Sequence, residues 1–205
     1  TPTGNGAADE KAGSWPGAAT AAAFAEAVES GRLNLPLPGG GRTRERWAVL
    51  ADLAGEDLSL GRLAEGHTDA LAILAELGVL ASPPAGSRWG VWAAQPPGPR
   101  LTASRTDGGW RLDGTKQYCS GARSLTHALV TAVAPDGSRL FTVSTESLAP
   151  VPGSWPATGM AASDTLDVEF TDVPAEPVGG PGGYTGRPGF AHGGAGVAAC
   201  WYGGA

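Results

Sequence analysis

The hydrophobic period changes once along this chain, at Pro83-Pro84. Before that point apolar residues recur every three to four positions. Beyond it they recur every two, until a last helical stretch near the C-terminus. Helices segregated from strands in this order predict an α+β fold, not a parallel sheet with alternating crossovers.

Three runs make the helical part. Ala18 to Ser30 is alanine-rich, with Ala22, Phe24 and Val28 on one side and Gly31 as its stop. Thr43 is placed to cap a second helix, from about Arg44 to Gly55, on which Trp47, Leu50, Ala51 and Ala54 recur. Asp57 or Ser59 starts a third, whose stripe runs through Leu60, Leu63, Ala64, His67, Leu71 and Leu74 to Gly78. His67 on that stripe reads as a hydrogen-bonded core histidine. Arg42, Arg44 and Arg46, offset by Glu45, read as a solvated helix start.

Strands are expected at Arg88–Gln95, Leu101–Arg105, Trp110–Asp113, His127–Ala134, Arg139–Ser144 and Asp164–Thr171. Asp107-Gly108-Gly109 and Asp136-Gly137 are hairpin turns. Short strands with tight turns over about 95 residues predict a small antiparallel barrel or a sandwich. The resulting division is a tail at 1–15, a helical domain at 16–84, a β-barrel domain at 85–180, and a linker with the start of a further helical domain at 181–205. Ala195, Val197, Ala198, Ala199 and Trp201 give that last helix an apolar surface with nothing after it to pack on, so a further helical domain, or a partner chain supplying it, is expected.

Composition excludes several classes. The net charge of −6 and the lack of a large basic cluster argue against nucleic acid. Two cysteines far apart and 3 histidines leave no metal-ligand spacing and predict a reduced, cytoplasmic chain. No apolar run approaches the length that spans a membrane.

The chemistry concentrates at Lys116-Gln117-Tyr118-Cys119-Ser120-Gly121, where a strand enters a corner carrying an aromatic ring and a hydroxyl. Alternation points Cys119 away from Tyr118 and Ser120, as a buried inert thiol. Lys116 is either a structural or phosphate-facing cation or an ordinary surface lysine.

Helices, a small barrel, then helices again resembles the acyl-CoA dehydrogenase family, and particular residues carry the likeness. They are Pro38-Gly39-Gly40-Gly41 and Asp57-Leu58-Ser59-Leu60-Gly61 before the barrel. Within it they are Asp107-Gly108-Gly109-Trp110, Gly114, Lys116 and Tyr118 to Gly121, then Thr165, Val168, Phe170 and Asp172-Val173-Pro174 at its exit. The resemblance spans about residues 20–205. It implies FAD with its ring against the barrel: Tyr118 beside the flavin, Ser120 offering a donor to the N5 edge, and Val91, Ala93 and Ala94 lining the ring. It implies α,β-dehydrogenation of an acyl-CoA thioester, reoxidation by an electron-transfer flavoprotein, and a dimer or tetramer. No catalytic base is assigned, because the family's glutamate lies in the C-terminal helical domain, and a chain of 205 residues alone is expected to bind FAD poorly.

One segment departs from the family. Ala94-Gln95-Pro96 stands where Thr-Glu-Pro is usual, and Pro97-Gly98-Pro99-Arg100 replaces the Gly-Ser-Asp that helps hold the thioester. Arg100 is thereby placed to meet a carboxylate or phosphate of a substrate. The departure keeps two further readings open: a flavin-dependent monooxygenase of the same fold acting on a small aromatic, and a non-catalytic relative.

Overall fold

A computed structural model describes residues 15–79, 83–98 and 100–205. The expected tail at 1–15 lies outside the described residues except for Trp15.

The three helices form as the stripes require: α1 at Ala18–Glu29, α2 at Thr43–Glu56 and α3 at Leu58–Glu76. Gly31 and Gly78, at φ +76° and +68°, stop α1 and α3 in the left-handed region that costs glycine nothing. Asp57 caps α3, its carboxylate accepting from the Ser59 N–H at 2.7 Å. Thr43 is not a cap but the first helical residue, and the cap position falls on Arg42. With only Asp57 between them, α2 and α3 approach so closely that a Cβ on Gly61 would stand 2.6 Å from Ala54 Cβ and 2.7 Å from its Cα. No rotamer change relieves that contact. Gly61→Ala is expected to cost about 1–3 kcal/mol, measured as a lower urea midpoint. An unchanged midpoint would show that the two helices separate freely.

Among the described residues seven strands follow: β1 (Trp89–Trp92), β2 (Leu101–Thr106), β3 (Gly109–Cys119), β4 (His127–Ala134), β5 (Gly137–Ser144), β6 (Ala149–Val151) and β7 (Leu166–Val178). Strands β4, β2, β3, β7 and β5 are neighbours in that order, and β5 pairs again with β4 to close a small barrel. Both expected hairpins are present, pairing Thr106 with Gly109 and Ala134 with Gly137. The barrel is not wholly antiparallel, because β1 and β2 both run parallel to β4. β3 also continues past Asp113, where the expected strand ended. Gly114, at φ +116°, is a bulge with the Arg100 carbonyl against it, and the register with β7 shifts there.

Phe24, Leu50 and Leu63 of the helices share one buried cluster with Trp92, Leu112, Val130 and Phe141 of the barrel. A short turn α4 (Gly183–Gly186) leads to α5 (Phe190–Gly204). α5 packs through a different face from the apolar surface expected to lack a partner. Its small face, with Gly193, Gly196 and Cys200 buried, folds back onto α2 and α3, while Val197, Trp201 and Tyr202 stay exposed. Among the described residues no helix is long and apolar enough to cross a membrane.

Candidate functional site

The end of β3 builds the corner. A register shift between Lys116 and Cys119 puts Tyr118 at φ +61°, left-handed backbone that a non-glycine residue adopts only under constraint. The Tyr118 N–H is held by Asp167 Oδ1 at 3.4 Å, and the ring swings out, 46% exposed, edge-on to Trp155 with centroids 6.1 Å apart. Cys119 points inward and is fully buried, and burial pushes its thiol well above the ordinary range. The orientations are those expected from alternation, but a bulge produces them.

Beyond the bulge, the Trp92 indole donates to the Ser120 carbonyl at 3.0 Å. The Gly121 N–H reaches the Ser163 carbonyl, and Arg123 pairs with buried Asp164 at 2.6 Å. These bonds tie the corner to the 3-10 turn at Ala161–Ser163. They also align three hydroxyls: Ser120 Oγ to Thr165 Oγ1 at 2.9 Å, and Thr165 Oγ1 to Ser163 Oγ at 2.8 Å.

Satisfiability sets the direction of that chain. Ser163 is 1% exposed, and among the described residues only Thr165 Oγ1 bonds its hydroxyl. Ser163 therefore donates to Thr165 and Thr165 to Ser120, because the reverse order would strand a buried hydroxyl hydrogen. The hydrogen of Ser120 is left for a group outside the chain of hydroxyls. Ser120 opens on a narrow crevice shared with Val91 of β1 and with Arg62 and Gly66 of α3.

On the barrel side, Lys116 is buried, not a surface lysine. Its ammonium donates to the Thr131 carbonyl at 2.7 Å and the Thr131 hydroxyl at 2.8 Å, and that hydroxyl donates to the Ala93 carbonyl at 3.3 Å. Burial lowers its pKa to about 8. Ala94 and Arg100 line a cavity of about 90 Å³ beside it, together with Gln117. The six sequence-derived residues thus do not share one pocket. Val91 and Ser120 meet at the crevice, Ala94 and Arg100 at the cavity, Ala93 lies between them through Thr131, and Tyr118 stands on the outer rim.

His67 is a buried core histidine, its Nδ1 accepting from the Trp89 N–H at 3.1 Å. Glu76 is engaged by Arg187, while Glu146 and Glu176 are exposed. Sequence reading missed the ionic groups between the helices. Arg46, expected in a solvated helix start, is buried and donates to Thr68 Oγ1 and the Pro36 carbonyl. Its signal was present, since Arg46, Leu50 and Leu53 fall on one helical face.

No protein-family model and no curated protein matches this chain. Solved structures do. One is KijD3 in complex with FMN and dTDP-3-amino-2,3,6-trideoxy-4-keto-3-methyl-D-glucose, at 20% identity and TM-score 0.72, covering 93% of this chain and 54% of that one. A nitrososynthase from Micromonospora carbonacea var. africana follows at 23% identity and TM-score 0.67, covering 93% and 56%. TdsC from Paenibacillus sp. A11-2 with FMN and indole matches at 23% identity and TM-score 0.55, covering 82% and 52%. These likenesses establish the fold: N-terminal helices, a small barrel, and helix again. The chain spans about half the length of the solved structures it matches.

The matches correct four expectations. The acyl-CoA dehydrogenase resemblance gives way to likeness with structures that include methanesulfinate monooxygenase MsuC and dibenzothiophene monooxygenase TdsC, and the cofactor held by KijD3 and TdsC is FMN, not FAD. The ligands named with them are an amino-sugar nucleotide and indole, not acyl-CoA. With acyl-CoA go the electron-transfer flavoprotein and the dimer or tetramer that the resemblance had implied. The physical reason lies at Ala94–Arg100, where the loop that would hold a thioester is replaced by prolines and an arginine.

Proposed function

We propose that this chain belongs to a flavin-dependent monooxygenase that uses FMN, with the flavin ring at the Tyr118–Ser120 corner. The observation that carries the reading is the ordered run of hydroxyls ending on Ser120, two residues along the chain from the exposed ring of Tyr118. The residues fit a flat, hydrogen-bonding group. Tyr118 offers a half-exposed ring and Ser120 a directed donor, and the Trp155 indole N–H is buried without a partner among the described residues. Reduced FMN, when bound, activates dioxygen, so that one oxygen atom passes to the substrate and the other leaves as water.

The chain's own residues have definite tasks in this reading. Tyr118 packs against the ring. Ser120, held as a donor by Thr165 and Ser163, meets an acceptor atom on the ring edge, where a fixed donor favours the electron-rich reduced form. Buried Trp92, Leu63 and Leu125 keep water from that edge. An amine-bearing sugar nucleotide is the first substrate class to test. Two of the structures covering 93% of the chain are KijD3 with such a ligand and the nitrososynthase.

Titration with FMN, followed by flavin absorbance and fluorescence, is expected to show a saturable perturbation. Tyr118→Ala should weaken it about tenfold through lost stacking. Thr165→Val, which removes both hydroxyl contacts of that residue, should lower the potential of the bound flavin, whereas Ser163→Ala, which leaves Thr165 free to donate, should change it little. A chain that perturbs no flavin at any concentration would sink the proposal.

A further inference from the structure

We propose that the cavity beside Lys116 holds the phosphate-monoester end of the FMN whose ring lies at the neighbouring corner, an inference that rests on the flavin reading above. In a chain with 20 acidic residues against 14 basic ones, none of the described residues lining this cavity is acidic, yet two cations reach it, Arg100 and Lys116. A buried cation without a carboxylate is costly unless an anion completes it. Lys116 is 3% exposed, and Thr131 takes two of its three ammonium hydrogens, leaving one. Arg100 is exposed at the rim with a guanidinium fork suited to phosphate oxygens.

A second observation points to a ligand with hydroxyls. Gln117 also lines this cavity; its amide donates to Asp167, and its Oε1 is buried without a hydrogen-bond partner among the described residues. It calls for a donor. FMN supplies its groups in the order β3 needs them: phosphate for Lys116, a hydroxyl of the polyol chain for Gln117, and the ring for Tyr118. At about 90 Å³ the cavity is well above the space that one water needs, roughly 10–15 Å³.

The test compares FMN with riboflavin, which lacks only the phosphate, by fluorescence titration of the whole chain and its Arg100→Ala variant. FMN is expected to bind at least about tenfold tighter than riboflavin, as one or two charge-assisted hydrogen bonds provide. In Arg100→Ala that gap should shrink about tenfold while riboflavin affinity stays constant. Because Arg100 is exposed, the variant should fold, and Lys116→Met serves as a second probe where it folds. Inorganic phosphate should compete with FMN and not with riboflavin. Equal affinity for FMN and riboflavin overturns the inference and leaves the flavin reading intact. An FMN advantage that survives both substitutions overturns it too. Thermal stabilisation by inorganic phosphate alone, without any FMN advantage, would assign the cavity to a free anion and overturn the cofactor assignment. Binding of neither flavin overturns the flavin reading and this inference with it.

Discussion

Arg187→Met is expected to unfold the protein at a much lower urea concentration than wild type, with a loss of about 3–5 kcal/mol. Arg187 follows α4, and its side chain is 1% exposed. Its guanidinium donates to Glu76 at 3.0 Å, lies 3.6 Å from Asp69, and faces the rings of Tyr184 and Phe190 at 5.8 Å each. It thereby ties the segment after the barrel to α3. Burial already pushes the Asp69 carboxyl up, and the neighbouring arginines, Arg187 first, pull it back. Removing the cation leaves the largely buried Asp69 without the counter-charge of Arg187 and beside the more exposed Glu76, which costs more than the pair contributes when intact. Asp69→Asn in the Arg187→Met background should therefore recover part of the loss, because it removes the stranded charge. A loss below about 1 kcal/mol would show instead that the network is solvated like a surface pair. The effect reaches the candidate site, since Arg62 and Gly66 on another side of α3 line the crevice under Ser120.

That network also marks the limit of what the sequence discloses. Hydrophobic stripes made α1 to α3 legible because each buries one face, and the Asp-Gly turns made two hairpins legible because the loop residues specify the turn. β3 was cut short because Gly114 in a strand pattern signals a turn and a bulge alike, and only the Arg100 carbonyl packed against it decides. β6 is three residues long and contains Pro150, too short for a period to register. The parallel pairing of β1 and β2 with β4 was invisible, since alternation specifies a buried face and not a partner. At the corner, Tyr118 and Ser120 stood out as a local motif. Thr165 and Ser163, which fix the donor direction of Ser120, lie more than 40 residues away in sequence. Nothing local to either segment links them. Charged residues on buried faces, such as Arg46 and Arg187, contradict the usual rule for such side chains, and their partners come from other elements.

Acid is expected to loosen the candidate site through His67. Burial lowers its pKa from 6.5 to about 4, because the folded protein holds it as the neutral acceptor of the Trp89 N–H. The unfolded chain binds this proton more readily than the folded one. The stability that His67 contributes is therefore complete above pH 6.5 and is lost as pH falls from 6.5 toward about 4, by about 3 kcal/mol in all. Glu65 and Asp69 act in the opposite sense, since burial raises both and favours the folded state in acid. The His67 contribution is isolated by comparison with His67→Gln, whose amide oxygen keeps an acceptor for Trp89 but does not titrate. Urea midpoints measured from pH 4 to 7 should fall more steeply with acid in wild type than in the variant. Parallel curves would mean that His67 is protonated in the fold without penalty. Because Trp89 begins the strand that carries Val91 and leads to Ala93 and Ala94, flavin affinity should weaken over the same interval in wild type and hold in His67→Gln.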